Sequence, residues 1–201
     1  MNLKKGLAFV GVSMMIFSMS IPTFAKEISG EREEKQIVSM QQGSQVIGEE
    51  TIRIFESDDM YQEKIVTVYE DGTVEKGILT VKHQNKDRGS RTAVVDEASY
   101  TAEWFTNSGA SYGTVTVNAG FAWDDMDKTA SCTSISQSSS PQNGWKYTKK
   151  GNSTSGNNTR KVTATAKGEF TKTEGNWGTT RKAVSVSIKC TYDGKITTSH
   201  S

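Results

Sequence analysis

The chain has little of what many functional classes need. Of its 201 residues only two are cysteine and two are proline, and the only histidines are His83 and His200. So few cysteines exclude a disulfide-dense miniature scaffold. Two histidines far apart in sequence leave no ligand cluster for a metal, and no cofactor is expected. Hydrophobic residues make up only 34% of the chain, with glycine, serine, threonine and asparagine in their place. That composition favours strands and turns over helices. No apolar run follows the one at the N-terminus, so no transmembrane span is expected in the mature chain. Lysines are scattered rather than clustered, which makes nucleic acid a poor partner.

The N-terminus itself is informative. Lys4 and Lys5 precede an uncharged apolar stretch, Gly6 to Met19, and Thr23 and Ala25 place small side chains where signal peptidase needs them. The apolar stretch is short beside the roughly 20 residues of a membrane span. Residues 1–25 are therefore predicted to be a secretory signal peptide cleaved after Ala25, resembling those of Gram-positive bacteria, and the mature protein is expected to be secreted. No cysteine follows for lipid attachment. Residues 26–44 are polar and charged and are predicted to be a flexible leader.

In an exported chain an even cysteine count reads as a disulfide, and Cys132 with Cys190 is the one pairing available. Closing a loop of that size is worth about 4 kcal/mol on the chain-entropy view. Charge is unevenly divided. Residues 26–100 balance at −6 and residues 101–201 at +5, although the whole chain carries only +1. The basic half suits an anionic partner such as a cell-wall polymer. Two oppositely charged halves of one fold explain the same numbers.

Side chains alternate along most of the chain. Asp71-Gly72 joins two strand-like stretches, Glu63–Glu70 and Thr73–Lys82, and suggests a type I′ turn, with Tyr69 opposite Val74 and Ile65 opposite Ile78. Ile52 and Ile54 lie in an acidic, edge-like strand before it. Asn85 to Arg91 reads as a polar hinge, giving an N-terminal hairpin region at 45–84 and a core at 92–201, unless 45–84 packs into the same domain. Beyond the hinge, Tyr100, Ala102 and Trp104 share one face. So do Val115, Val117, Ala119, Phe121 and Trp123, then Val162 to Phe170, then Val184 to Tyr192. Residues 129–159 suggest only short strands near Cys132–Ile135 and Trp145–Lys149, with Asn152–Asn158 an unstructured loop. About eight strands and no amphipathic helix predict an all-β fold, an antiparallel β-sandwich or small barrel.

Trp145 follows Cys132 by 13 residues and Cys190 follows it by 58, spacings that resemble the immunoglobulin-like sandwich. The likeness stops there. Ile188 rather than tyrosine stands two residues before the second cysteine, and too many strands precede Cys132.

Catalytic signals are thin. Neither histidine sits where it would be aimed at a serine, and no Gly-x-Ser-x-Gly nucleophile elbow is expected. Asp124, Asp125 and Asp127 beside Trp123 are the only acidic cluster suggestive of a glycosidase, and they read equally as an acidic turn. Asn152-Ser-Thr and Asn157-Asn-Thr match the N-glycosylation pattern by chance in a bacterium. Trp104 and Trp123 are expected in the core. Trp145, Tyr147 and Trp177, with Lys146, Lys149 and Lys150, form the expected contact surface. The favoured reading is a non-catalytic module binding a wall polymer, glycan or protein. The alternatives are a membrane-active, bacteriocin-like toxin inserting Val162–Phe170 and Val184–Tyr192, and a carbohydrate-active hydrolase.

Overall fold

The computed structural model describes residues 45–84, 94–175 and 178–199. The predicted signal peptide, leader and hinge at 85–91 lie outside the described residues, as do Trp177 and His200. Ten strands follow one another: β1 (Val46–Glu56), β2 (Met60–Tyr69), β3 (Val74–His83), β4 (Val94–Phe105), β5 (Ser111–Asp124), β6 (Thr129–Pro141), β7 (Lys146–Ser155), β8 (Lys161–Thr173), β9 (Thr179–Thr191) and β10 (Ile196–Ser199). They form two antiparallel sheets, one of six strands ordered β1-β2-β3-β4-β5-β6 and one of four ordered β10-β9-β8-β7. The fold is an all-β sandwich. Every ladder joins neighbours in sequence, so each sheet is a meander. The Greek-key connections of an immunoglobulin-like domain do not occur among the described residues.

Alternation builds the core. Leu79, Val81, Tyr100, Ala102, Trp104, Val115, Val117 and Phe121 of the larger sheet are buried against Val162, Ala164, Ala166, Phe170, Val186 and Ile188 of the smaller. Their partners on the outward positions are threonine, serine, lysine and asparagine, as period-2 patterning requires. The rings of Trp104, Tyr112 and Tyr147 gather around Phe170 at centroid distances of 6.1, 6.3 and 5.0 Å. The smaller sheet packs over β3 to β6. It touches β2 more sparsely, one bond being Tyr61 Oη donating to the Ile196 carbonyl at 3.1 Å.

The first hairpin departs from expectation by one residue. Val68 pairs with Val74 and Ile65 with Gly77. Gly72 has φ +77° and Asp71 does not share its positive φ, so the connection is a type I turn closed by a glycine bulge rather than type I′. The shift turns Glu75 inward and leaves Ile78 exposed. Gly77 is required here, because a Cβ would meet the Tyr100 hydroxyl at 2.2 Å.

The polar stretch 129–159 is also more ordered than composition suggests. β6 runs for 13 residues and β7 for 10, so Asn152 to Ser155 are strand, not loop. Bulges hid the alternation. Register slips between Gly120 and Phe121 in the β5–β6 ladder, leaving Thr133 extra, and between Lys149 and Gly151 in the β7–β8 ladder. Each extra residue inverts the period-2 pattern beyond it.

The cysteines correct the disulfide prediction. Both are free thiols, Cys132 half-buried and Cys190 buried. Cys132 on β6 donates its thiol to the Ser134 carbonyl at 3.1 Å, and Cys190 on β9 lies 3.5 Å from the carbonyl oxygen of Thr191. Each sulfur is turned to its own strand's backbone. Burial, the larger cause, pushes Cys190 up to about 12, with Asp96 and Asp193 adding to it. Burial raises Cys132 as well.

Candidate functional site

The outer face of the six-stranded sheet is built from the residues that alternate with the core. Thr80, Ser99, Asn118 and Ser136 are directly paired across β3, β4, β5 and β6 and form one continuous row. A second row runs Ile78, Thr101, Thr116 and Ser138, with Thr101 and Thr116 hydroxyls 2.9 Å apart. On the other side of the first row, Lys82 pairs with Glu97, and Glu97 with Gly120.

The first row, with Lys82, Glu97 and Gly120 beside it, lines a groove of about 370 Å³ that reaches Ser134 and Ile135 of β6. Two local features make it concave. Gly120 has no side chain, and a Cβ there would meet the Thr133 and Ser134 hydroxyl oxygens at 2.6 and 2.8 Å. Gly120 N also donates to Ser134 Oγ at 3.1 Å, which fixes the bulged segment. A bulge bends its strand and raises local twist. The groove thus presents hydroxyl and amide groups on successive strands, with one lysine and one glutamate at its rim.

Two buried carboxylates lie on the opposite, inward face. Glu75 accepts from Tyr69 Oη at 2.6 Å and Tyr100 Oη at 2.8 Å. Burial chiefly, with the Glu75 carboxylate second, raises both phenols well above the ordinary tyrosine value. Asp96 accepts from Trp123 Nε1 at 2.8 Å, and its Oδ1 lies 3.1 Å from His83 Nδ1, which donates when it carries the ring proton. Tyr61 stacks near His83 at 5.7 Å, and burial pushes its hydroxyl up to about 12. These are satisfied polar clusters. The glutamate faces the sandwich interior rather than a cleft.

The expected contact surface is not assembled as the sequence suggested. Trp145 and Tyr147 are half-buried and pack against the core, Trp145 edge-on to Tyr112 at 4.6 Å. Tyr147 lies over Gly168, and its Oη accepts from Gln137 Nε2 at 3.1 Å. Lys146, Lys149 and Lys150 remain exposed along β7, with Lys150 4.0 Å from Glu169. Alternation divides Tyr147 from Lys146, whereas Lys149 shares Tyr147's face, level with Gly168, and is nonetheless exposed, so the expected cluster is split between core and solvent.

The acidic turn behaves as a turn. Asp124 Oδ1 accepts from the backbone N–H groups of Met126 and Asp127 at 2.8 and 3.1 Å. One sequence expectation needs correction. Gly109-Ala-Ser111-Tyr-Gly113 does have the nucleophile-elbow spacing. It leads into a strand rather than a helix, and Ser111 donates to Glu103 at 2.6 Å. Ser111 opens β5, whereas His83 lies level with the far end of that strand, so His83 does not reach it. Asn157 Oδ1 accepts from Cys132 N at 2.9 Å and ties down the β7–β8 turn.

Sequence reading missed the groove. Its residues were visible only as the polar half of an alternation, and the register that lines them up comes from ladder pairing. Comparison with protein-family models, curated proteins and solved structures returns no match.

Proposed function

We propose that this is an exported, non-catalytic binding module whose ligand is a neutral, hydroxyl-rich polymer of glycan type, held in the groove across β3 to β6. The row Thr80–Ser99–Asn118–Ser136 carries this reading. Adjacent strands stand about 4.8 Å apart, so the row repeats hydrogen-bonding groups at a short, regular spacing. A linear polymer bearing hydroxyls along its length can meet several of them at once. The single Lys82–Glu97 pair at the rim leaves the site nearly neutral, which favours an uncharged glycan over an anionic wall polymer there.

Each exchanged hydrogen bond contributes only about 0.5–1.5 kcal/mol. Binding to one short oligosaccharide is therefore weak, and binding to a long polymer gains by repetition. The outward faces of β8 and β9 carry Lys161, Thr163, Lys167, Arg181 and Ser185, which supports a water-facing sheet over one inserted in lipid. Among the described residues no helix is long and apolar enough to cross a membrane.

The test is pull-down of the purified protein on cell-wall fragments and a panel of insoluble glycans, comparing the unaltered chain with Asn118→Ala and Ser99→Ala. Loss of retention with an unchanged melting curve supports the groove. Equal retention of all three proteins removes it.

A further inference from the structure

The sheets end in β1, β6, β7 and β10, and two of these edges, neither with a second ladder partner among the described residues, carry opposite charge. β1 ends the larger sheet and β7 ends the smaller. β1 carries Glu49, Glu50 and Glu56, with Asp58 and Asp59 in the turn that follows. Its one cation, Arg53, is engaged at 2.8 Å by Glu63 of β2 and at 3.2 Å by Glu56. β1 also exposes Ile47 at 65%, Ile52 at 48%, Ile54 at 49% and Phe55 at 43%. Ile47 and Ile54 stand at its two register shifts. β7 exposes Lys146, Lys149 and Lys150 and carries no acidic residue.

Edge strands invite pairing with other chains, and charge is one way of controlling which chain answers. Here each edge repels a second copy of itself and attracts the other edge. Lysine stems can lie along the exposed isoleucines and Phe55 while their ammonium groups reach the glutamates. Lys76 already sits 4.7 Å over the Phe105 ring in this chain. The strands are of similar length, 11 and 10 residues.

From this complementarity we infer that β1 of one molecule docks against β7 of a second copy. The contact is heterologous, because two different surfaces meet. It leaves one β1 and one β7 open at the ends, so it generates open chains of molecules unless the rotation happens to close a ring. This surface is separate from the groove, and the two proposals stand or fall independently.

Sedimentation velocity and light scattering on the purified chain test it, across protein concentration and at low and high salt. A concentration-dependent series of oligomers is expected, weakened about tenfold or more by high salt because the charges are exposed. A chain with Lys146, Lys149 and Lys150 changed to Glu should not self-associate. Neither should one with Glu49, Glu50 and Glu56 changed to Lys. An equimolar mixture of the two should associate again. A monomer at low salt and the highest soluble concentration overturns the inference, and this arm needs no variant. A closed dimer disturbed only by the β1 changes overturns it too. So does a monomer whose β7 lysines bind only polyanions such as polyphosphate. Circular dichroism melts confirm that each variant is folded before it is scored.

Discussion

The Tyr100 hydroxyl donates to Glu75 Oε1 at 2.8 Å between the two sheets, in a core where both residues are almost fully buried. The bond exists because the β2–β3 turn takes one residue more than the simplest hairpin, which turns Glu75 inward. Tyr69 supplies a second donor to the same carboxylate.

Removing the Tyr100 donor leaves a buried acid with one fewer partner. Tyr100→Phe is expected to lower stability by about 1.5–3 kcal/mol, the range for hydrogen bonds to charged groups. Urea unfolding with an unchanged slope measures it. A loss below about 0.5 kcal/mol, the usual scale of surface changes, means the carboxylate finds its partners elsewhere.

The alkaline limb of stability follows from the phenols. Burial first of all raises Tyr61, Tyr69, Tyr100, Tyr112 and Tyr147 in the folded state. A raised folded value means the unfolded chain loses its proton first, so the stabilisation is complete below about 10 and declines as pH rises above it. For Tyr61 the decline spans the ordinary value to about 12. Tyrosine absorbance should therefore titrate together with loss of the folded circular dichroism signal. Smooth ionisation of all six tyrosines near the ordinary value in a folded protein contradicts the burial.

Thiol chemistry checks the cysteines. With both sulfurs free, a non-reducing denatured sample should yield two reactive thiols per chain. In the native protein Cys132 should react first, slowly, since burial raises its pKa. A count of zero in denaturant would show the sulfurs bonded to each other and overturn the arrangement on β6 and β9.

Gly77 tests packing. An added methyl must displace the Tyr100 ring, whose hydroxyl oxygen would lie 2.2 Å from it. Gly77→Ala is expected to cost about 1–3 kcal/mol through overpacking, measured by thermal melting. An unchanged melt shows that the ring has room to move.

Trp145 separates packing from recognition. The indole packs on the core and on Tyr112, so Trp145→Ala should lower the melting temperature while retention on glycans persists below the new transition. Loss of retention with full stability would instead return the indole to the binding surface.

Sequence alone determined much of this protein. Alternation from Tyr100 to Tyr192 names the inward residues of β4, β5, β8 and β9, because a strand's period of two places hydrophobic and polar side chains on opposite faces whatever its neighbours are. The edge-like position of Ile52 was legible from the acidic residues around it. Only the tertiary structure decided the register. A one-residue turn difference turned Glu75 inward, and bulges at Thr133 and Lys150 inverted the pattern of β6 and β7. The row Thr80–Ser99–Asn118–Ser136 exists only because four separate strands align. Pairing between distant segments depends on how loops close and which backbone groups meet, and no local pattern of side chains encodes that.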